Sequence, residues 1–208
     1  MTSEIKYPPF GLQLFDGHVL LRVIEDCDLK HLCAVTVSDI FEPNCPWEFP
    51  WLSQENTALS TAQFHWGLRA SNKPENWVLP FAAYVDDTYV GTIDMRASDF
   101  REKRSISTGS YVLRRAQGQG IGTRMRAMVA AYAFDFLSAK EMRTAWHPMN
   151  KASGGVSAAL GYQVVGRAEF GAHDRPEVHA RLVAEDFLGC PTLTVSGHTE
   201  ALREFLDA

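Results

Sequence analysis

The chain has 208 residues, a net charge of −5 and a pI of about 5.8, with 46% apolar and 22% charged residues. That size and balance suit one globular domain over 1–208 with its own core. They offer no general basic face for nucleic acid, no apolar run of membrane-spanning length and no leader pattern. Cys27, Cys33, Cys45 and Cys190 make no Cys-x-x-Cys pair and no zinc spacing with histidine. They are expected as free thiols in a reducing, cytoplasmic setting, with no metal.

In chain order, residues 1–16 read as an arm containing Pro8-Pro9 and Gly11. A first strand is predicted over 18–25. A helix capped by Asp26 or Asp28 follows and runs to about residue 40. Residues 42–53 hold three prolines and two tryptophans and must form a loop. A helix over 57–70 is expected to bury Leu59, Ala62, Phe64, Trp66 and Leu68. Two strands, 77–85 and 88–95, flank the turn residues Asp86-Asp87, and a third strand covers 105–113.

The clearest helix spans 121–137, where Ile121, Met125, Met128, Val129, Tyr132, Phe136 and Leu137 repeat at three-to-four spacing. A strand at 141–147, a helix at 150–160 and strands at 162–170 and 178–183 follow. A C-terminal extension over 190–208 adds a strand at 193–195 and a helix at 199–206. The order β-α-α-β-β-β-α-β-α-β-β predicts an α/β or α+β domain with a mixed sheet.

Chemistry concentrates before the strongest helix, in Arg114-Arg-Ala-Gln-Gly-Gln-Gly-Ile-Gly-Thr123. Glycines at 118, 120 and 122 let the backbone come close to a ligand. The helix start presents unpaired N–H groups and partial positive charge, which together suit a phosphate. Arg114, Arg115, Arg124 and Arg126 fall within thirteen residues, and no acid lies between Arg104 and Asp135. These arginines add to the expected anion site; the plainer alternative is a solvated helix face. No lysine follows as in a Walker loop, and the third glycine falls one residue early for a dinucleotide fingerprint.

This loop resembles the Gln/Arg-x-x-Gly-x-Gly/Ala motif of the GNAT acyltransferases, met by Arg115-Ala-Gln-Gly118-Gln-Gly120. Residues 117–123 are similar to the form found in the RimJ/RimL-like branch. Asn150-x-x-Ser153, Ser157 and Gly161-Tyr162 resemble that branch's second motif, about thirty residues on. Pro50-Trp51, Trp77-x-Leu79-Pro80, Asp99-Phe100 and Gly109-Ser110 are similar to a mycobacterial subgroup described as succinyltransferases. The chain departs from the family in having serine at 157, where many members carry a tyrosine acid, and Gly154-Gly155 inside the short helix.

The resemblance implies a central, mostly antiparallel mixed sheet flanked by helices. It implies transfer of an acetyl or succinyl group from acyl-CoA to a primary amine of a small molecule, peptide or protein, by direct attack in a ternary complex. A homodimer is possible. The alternative is a non-catalytic acyl-CoA-binding sensor.

Under this resemblance CoA is held by Val112, Leu113, Arg115, Gln117, Gly118, Gln119, Gly120, Ile121, Gly122, Thr123, Asn150 and Ser153. Asn150 reads equally as a helix cap. A backbone N–H near Val112 would serve the oxyanion, and Ser157 stands at the acid position. An ammonium acceptor must lose a proton before attack, so a base is useful. Asp99 ranks first, with Asp94, Glu48, Glu169 and His147 behind it; a loop cap is the plainer role for Asp99. Trp51 and Trp77, with Trp47 and Phe49, would line the acceptor side or simply fill core. For a succinyl carboxylate, Arg96, Arg101 and Ser110 are the expected partners.

Overall fold

The computed structural model describes residues 7–43, 45, 57–169, 171 and 175–208. Among these, ten strands form one sheet in the order β10-β1-β2-β3-β4-β5-β7-β9-β8, with β6 paired to β4 beside β5. The strands are β1 Gln13–Phe15, β2 Leu20–Val23, β3 Asn76–Val85, β4 Thr88–Ser98, β5 Ser105–Ser107, β6 Ser110–Val112, β7 Glu141–Trp146, β8 Gln163–Ala168, β9 Glu177–Val183 and β10 Thr194–Ser196. All pairings are antiparallel except β5 with β7. The expected mixed sheet flanked by helices is the observed architecture.

β3 and β4 form the long central hairpin. Asp86 and Asp87 both take positive φ, 45° and 58°. Aspartate tolerates this better than most residues, and the resulting turn matches the twist of the strands.

The residues that read as an arm contribute β1. It is too short for its alternation to show, and it is held between β2 and the C-terminal β10. The single helix expected from Asp26 is two: α1 Asp26–Leu32 and α2 Val37–Ile40. Glu25 caps α1, and Asp28 completes the capping box from inside. Asp28 is fully buried, where Arg22 and the Tyr84 hydroxyl hold its carboxylate.

Helix α3, Thr57–Ser71, presents a different face from the expected one. Leu59, Phe64 and Trp66 are exposed, while Thr61, Ala62 and His65 are buried. The positions i, i+1 and i+4 meet the core, and Trp66 instead donates to the Asp26 carboxylate at 3.2 Å. Burial, with the nearby Arg69 charge, pulls the His65 pKa from 6.5 down to about 4. The folded chain therefore keeps His65 neutral at acidities where the unfolded chain has protonated it. Stability is complete above pH 6.5 and falls as pH drops towards 4, by about 3 kcal/mol from this group. Urea midpoints across that range should decline less steeply in His65→Leu.

Two apolar clusters lie on the faces of the sheet. One gathers β1–β5 under α5, Ile121–Ala131, and the C-terminal α7, Glu200–Phe205. The other gathers α1, α2 and Ala62 of α3 with Tyr84, Tyr89 and Tyr111. α5 passes into a π turn over Tyr132–Phe136 instead of continuing as α-helix. A short α4, Phe100–Lys103, follows β4, and α6 spans Lys151–Ala159. Among the described residues no helix is long and apolar enough to cross a membrane.

Candidate active site

The predicted strand over 105–113 breaks at Thr108-Gly109, and that break makes the site. β5 runs parallel to β7, with Ser107 opposite Arg143. The last ties are the Thr108 N–H to the Arg143 carbonyl at 3.0 Å and the Thr144 hydroxyl to the Thr108 carbonyl at 3.4 Å. β6 then pairs with β4 alone, while Ala145 and Trp146 pair with β9. The two strands part beyond residue 108.

The ladder tells which atoms face the opening. Leu113 N–H bonds the Val90 carbonyl, and Asp94 N–H bonds the Gly109 carbonyl. Antiparallel alternation then turns the backbone groups of Ser110 and Val112 away from β4, toward the space left by β7. The Val112 carbonyl is taken by Gln117 Nε2 at 2.8 Å. The Ser110 and Val112 N–H groups are left facing the opening, as an extended amide-bearing ligand or an oxyanion requires.

That edge leads directly into the glycine loop. Gly118 and Gly120 have φ of 74° and 75°, and a Cβ on either would meet no atom within 4 Å. Gly120 is the N-cap of α5, and its carbonyl accepts from Arg124 N–H at 3.1 Å. The N–H groups of Ile121, Gly122 and Thr123 are the orphan donors of the first turn. Gln117 Nε2 also reaches the Ile40 carbonyl at 3.0 Å, and Gln119 Nε2 folds back to the Arg115 carbonyl at 3.2 Å. These two side chains brace the loop.

The arginines do not gather at the loop as expected. Arg114 pairs with Glu42 at 2.7 Å and Arg124 with Asp16 at 2.8 Å. Arg115 donates to the Tyr89 carbonyl at 2.7 Å. It also borders a cavity of about 430 Å³ shared with Lys30, His31 and Asp39. Arg114, Arg115 and Arg124 are thus engaged by acids and a carbonyl elsewhere in the chain, which leaves the glycines and the backbone N–H groups of the helix start as the loop's own features.

Asn150 caps α6, its Oδ1 accepting from Ser153 N–H at 3.1 Å. Ser157 is 1% exposed and doubly bonded. It accepts from Arg126 Nη1 at 2.8 Å and donates to the Ser153 carbonyl at 3.0 Å. Its proton is committed, so acting as an acid would require breaking that bond.

Asp99 is not brought to the opening. It sits at positive φ beyond the end of β4, exposed and paired with Lys103 at 2.9 Å. Five residues of strand put it about 16 Å from Asp94. Asp94 is the candidate that adjoins the break: its Oδ1 accepts from Gly109 N–H at 3.0 Å and from Arg96 Nε at 2.9 Å, and its Oδ2 accepts from Arg96 Nη2 at 2.5 Å. Asp94 lies on the face of Tyr111 and the α1–α3 cluster, opposite buried Ile93 and Met95. Glu169 is exposed after β8. His147 Nδ1 accepts from Met149 N–H in the turn before α6. Trp47, Glu48, Phe49 and Trp51 lie outside the described residues.

Trp77 is a correction. It is fully buried in the core against Phe100, and its Nε1 donates to the Leu206 carbonyl at 2.9 Å, so it lines no ligand space. Arg101 pairs with Asp207 and Arg96 with Asp94, so neither arginine expected to meet a succinyl group is unpaired.

The sequence groups Arg126 with the other arginines of the expected anion site, and the structure sets it apart from them. It is 3% exposed, two turns into α5, with Ser157 on one side and Ser110 Oγ at 3.5 Å on the other. Burial pulls its pKa below the ordinary arginine value. A signal does exist: Arg126 is four residues after Gly122 and four before Ala130, on a stripe that carries no other charge.

The family model of the acetyltransferase (GNAT) domain matches residues 18–163. Among solved structures, Mycobacterium smegmatis RimJ in complex with CoA-disulfide superposes with a TM-score of 0.68 at 20% identity, over 90% of each chain. A GNAT-family acetyltransferase from Bacillus anthracis gives 0.66 at 13% identity, over 83% of this chain and 99% of that one. A chimera of spermidine N-acetyltransferase SpeG from Vibrio cholerae and hSSAT gives 0.63 at 13%, over 83% and 99%. These identities speak for the fold, whereas the family match spans well over half of the sequence. The chain belongs to the GNAT acetyltransferase domain family.

Proposed function

We propose that this chain is an N-acyltransferase, moving an acetyl or succinyl group from acyl-CoA to a primary amine by direct attack in a ternary complex. The observation that carries the reading is the parting of β6 from β7, which leaves a bare strand edge running into the glycine-capped start of α5. In this reading the N–H groups of Gln117–Thr123 hold the pyrophosphate. The Ser110–Leu113 edge holds the pantetheine arm, and an outward N–H of Ser110 or Val112 receives the thioester oxygen as it becomes an oxyanion. The amine arrives from the α1–α3 face, where Asp94 attracts the ammonium and aids its deprotonation. Solved RimJ from M. smegmatis was captured with a CoA species, which supports the same ligand here.

The test is release of free thiol from acetyl-CoA and succinyl-CoA against a panel of amines. Intersecting initial-rate lines support the ternary complex. Tight binding of CoA without turnover on any amine would favour the sensor alternative. Among the acids, Asp94→Asn should lower kcat about 100-fold or more, in the range of a general-base loss. Asp99→Asn should change it less than about threefold, the effect of an exposed ion pair. The reverse ranking in steady-state rates would return the role to Asp99.

A further inference from the structure

Glycine is a poor residue for the inside of a helix, yet α6 carries two, Gly154 and Gly155. A Cβ on Gly155 would meet nothing within 4 Å. Gly154 differs: its Cβ would stand 3.1 Å from the Trp146 Nε1 and 3.4 Å from the Cε2. The missing side chain lets the indole rest against the helix. Trp146 ends β7, and strand alternation puts it on the face of the buried Met142 and Thr144, packed at the margin of the main core. Its Nε1 has no acceptor among the described residues, and the atom is not enclosed. Indole N–H groups inside a core normally find a partner, so this one marks an edge of the core that is open.

The open side is the parting of the strands. Ser107 stands opposite Arg143 in the parallel pair, so three residues further on each strand Ser110 is level with Trp146 across the gap. Helix α6 roofs that gap. On the β7 side Gly154 touches the indole, and on the β6 side Ser157 reaches Ser110 through Arg126. Towards the glycine loop the roof comes down onto β6, where a Cβ on Gly122 would meet Val156 at 3.6 Å and Val112 at 3.7 Å. With the pyrophosphate at the loop, the pantetheine arm runs back along β6 from Leu113 to Ser110. The acyl group then lies at the level of Ser110, and the indole of Trp146 faces it from the other strand.

We propose that Trp146 is the wall that ends the acyl space, so that the site admits a short acyl group such as acetyl and turns away long unbranched chains. This rests on the reading of the β6–β7 opening as an acyl-CoA site. Gly154 is a positioning residue, since its bare backbone lets the indole stand back from Ser110. The indole has little room to retreat further, because the helix already touches it. A chain that is too long must therefore displace a packed ring, and close-packed surfaces resist even one extra methylene.

The experiment is calorimetric titration of the full chain with acetyl-CoA, butyryl-CoA and hexanoyl-CoA, native and as Trp146→Ala and Gly154→Ala. Native protein should bind acetyl-CoA at least about 100-fold tighter than hexanoyl-CoA, within the range that misfitting methylenes produce in an apolar pocket. Trp146→Ala removes the wall, and the two affinities should come within about threefold of each other. Gly154→Ala puts a methyl against the indole and moves it towards Ser110, so butyryl-CoA should lose at least about fivefold relative to acetyl-CoA. A helix accepts this alanine readily, so the second variant and the native comparison still decide the matter if Trp146→Ala fails to fold. Equal native affinity for acetyl-CoA and hexanoyl-CoA overturns the wall and leaves the acyl-CoA reading standing. Equal losses for all three donors in both variants would make Trp146 a residue of the core alone, which also overturns it. Failure of native protein to bind any of the three would sink the acyl-CoA reading itself.

Discussion

Replacing Gly120 by valine should weaken CoA binding by about tenfold to a hundredfold while the domain stays folded. Gly120 holds a φ of 75°, where an L side chain costs about 1–2 kcal/mol and a β-branched one more. Valine relieves that strain by turning the peptide, which re-aims the N–H groups at the start of α5. Restoring their aim on binding costs affinity, at about tenfold for each 1.4 kcal/mol. The new side chain also occupies space that is open, since a Cβ at 120 meets no atom within 4 Å. Gly189→Val is the matched control. Gly189 has φ of 84° and equally open surroundings, but it lies just before the C-terminal extension, far along the chain from the loop. Both variants should lose a similar amount, at least about 1–2 kcal/mol, in urea unfolding. Titration calorimetry should show the loss of CoA affinity for Gly120→Val alone. Equal affinity in the two variants would mean that the loop does not hold the pyrophosphate.

Trp77→Ala should destabilise the chain by about 4 kcal/mol, a drop of roughly 10 °C in Tm for a domain of this size. The indole is fully buried beside Phe100, and its Nε1 ties β3 to the Leu206 carbonyl at the end of α7. Truncation removes the packing, leaves a cavity and orphans a carbonyl at once. Differential scanning calorimetry reads the first effect. Limited proteolysis after residue 190 should read the second, because α7 loses its anchor. Affinity for CoA, measured well below the transition, should stay within about twofold. A normal Tm with lost activity would return Trp77 to the acceptor side, the role the family resemblance implies for it beside core filling.

Much of this protein is legible from local chemistry alone. The β3–β4 hairpin follows from two strand-like runs and the two aspartates between them, which accept positive φ. Helix α5 follows from apolar spacing and a glycine at its start. The loop's chemistry follows from backbone, which is why sequence identifies it: glycines and a helix N-terminus carry their meaning wherever they fold. Asn150 can be read as a cap because its partner, Ser153, is three residues away.

Other features depend on contacts between distant segments, and local pattern carries no trace of them. β1 is three residues long and exists because β2 and β10 flank it. The face of α3 is chosen by what α1 and the sheet offer, so Thr61 and His65 go inward while Leu59 and Phe64 do not. Arginines near a glycine loop read as ligand contacts until Glu42 and Asp16 arrive from elsewhere to take them. Asp99 and Asp94 look alike in sequence, and only the register of β4 against β6 sets one beside the opening and the other about 16 Å away. The sequence by itself determined the glycine loop at the start of α5 and the central strands and helices, through spacing and turn chemistry. The tertiary structure alone decided which charges are paired. It left Arg126 as a buried cation without an acid among the described residues, because pairing is a matter of distance in space rather than along the chain.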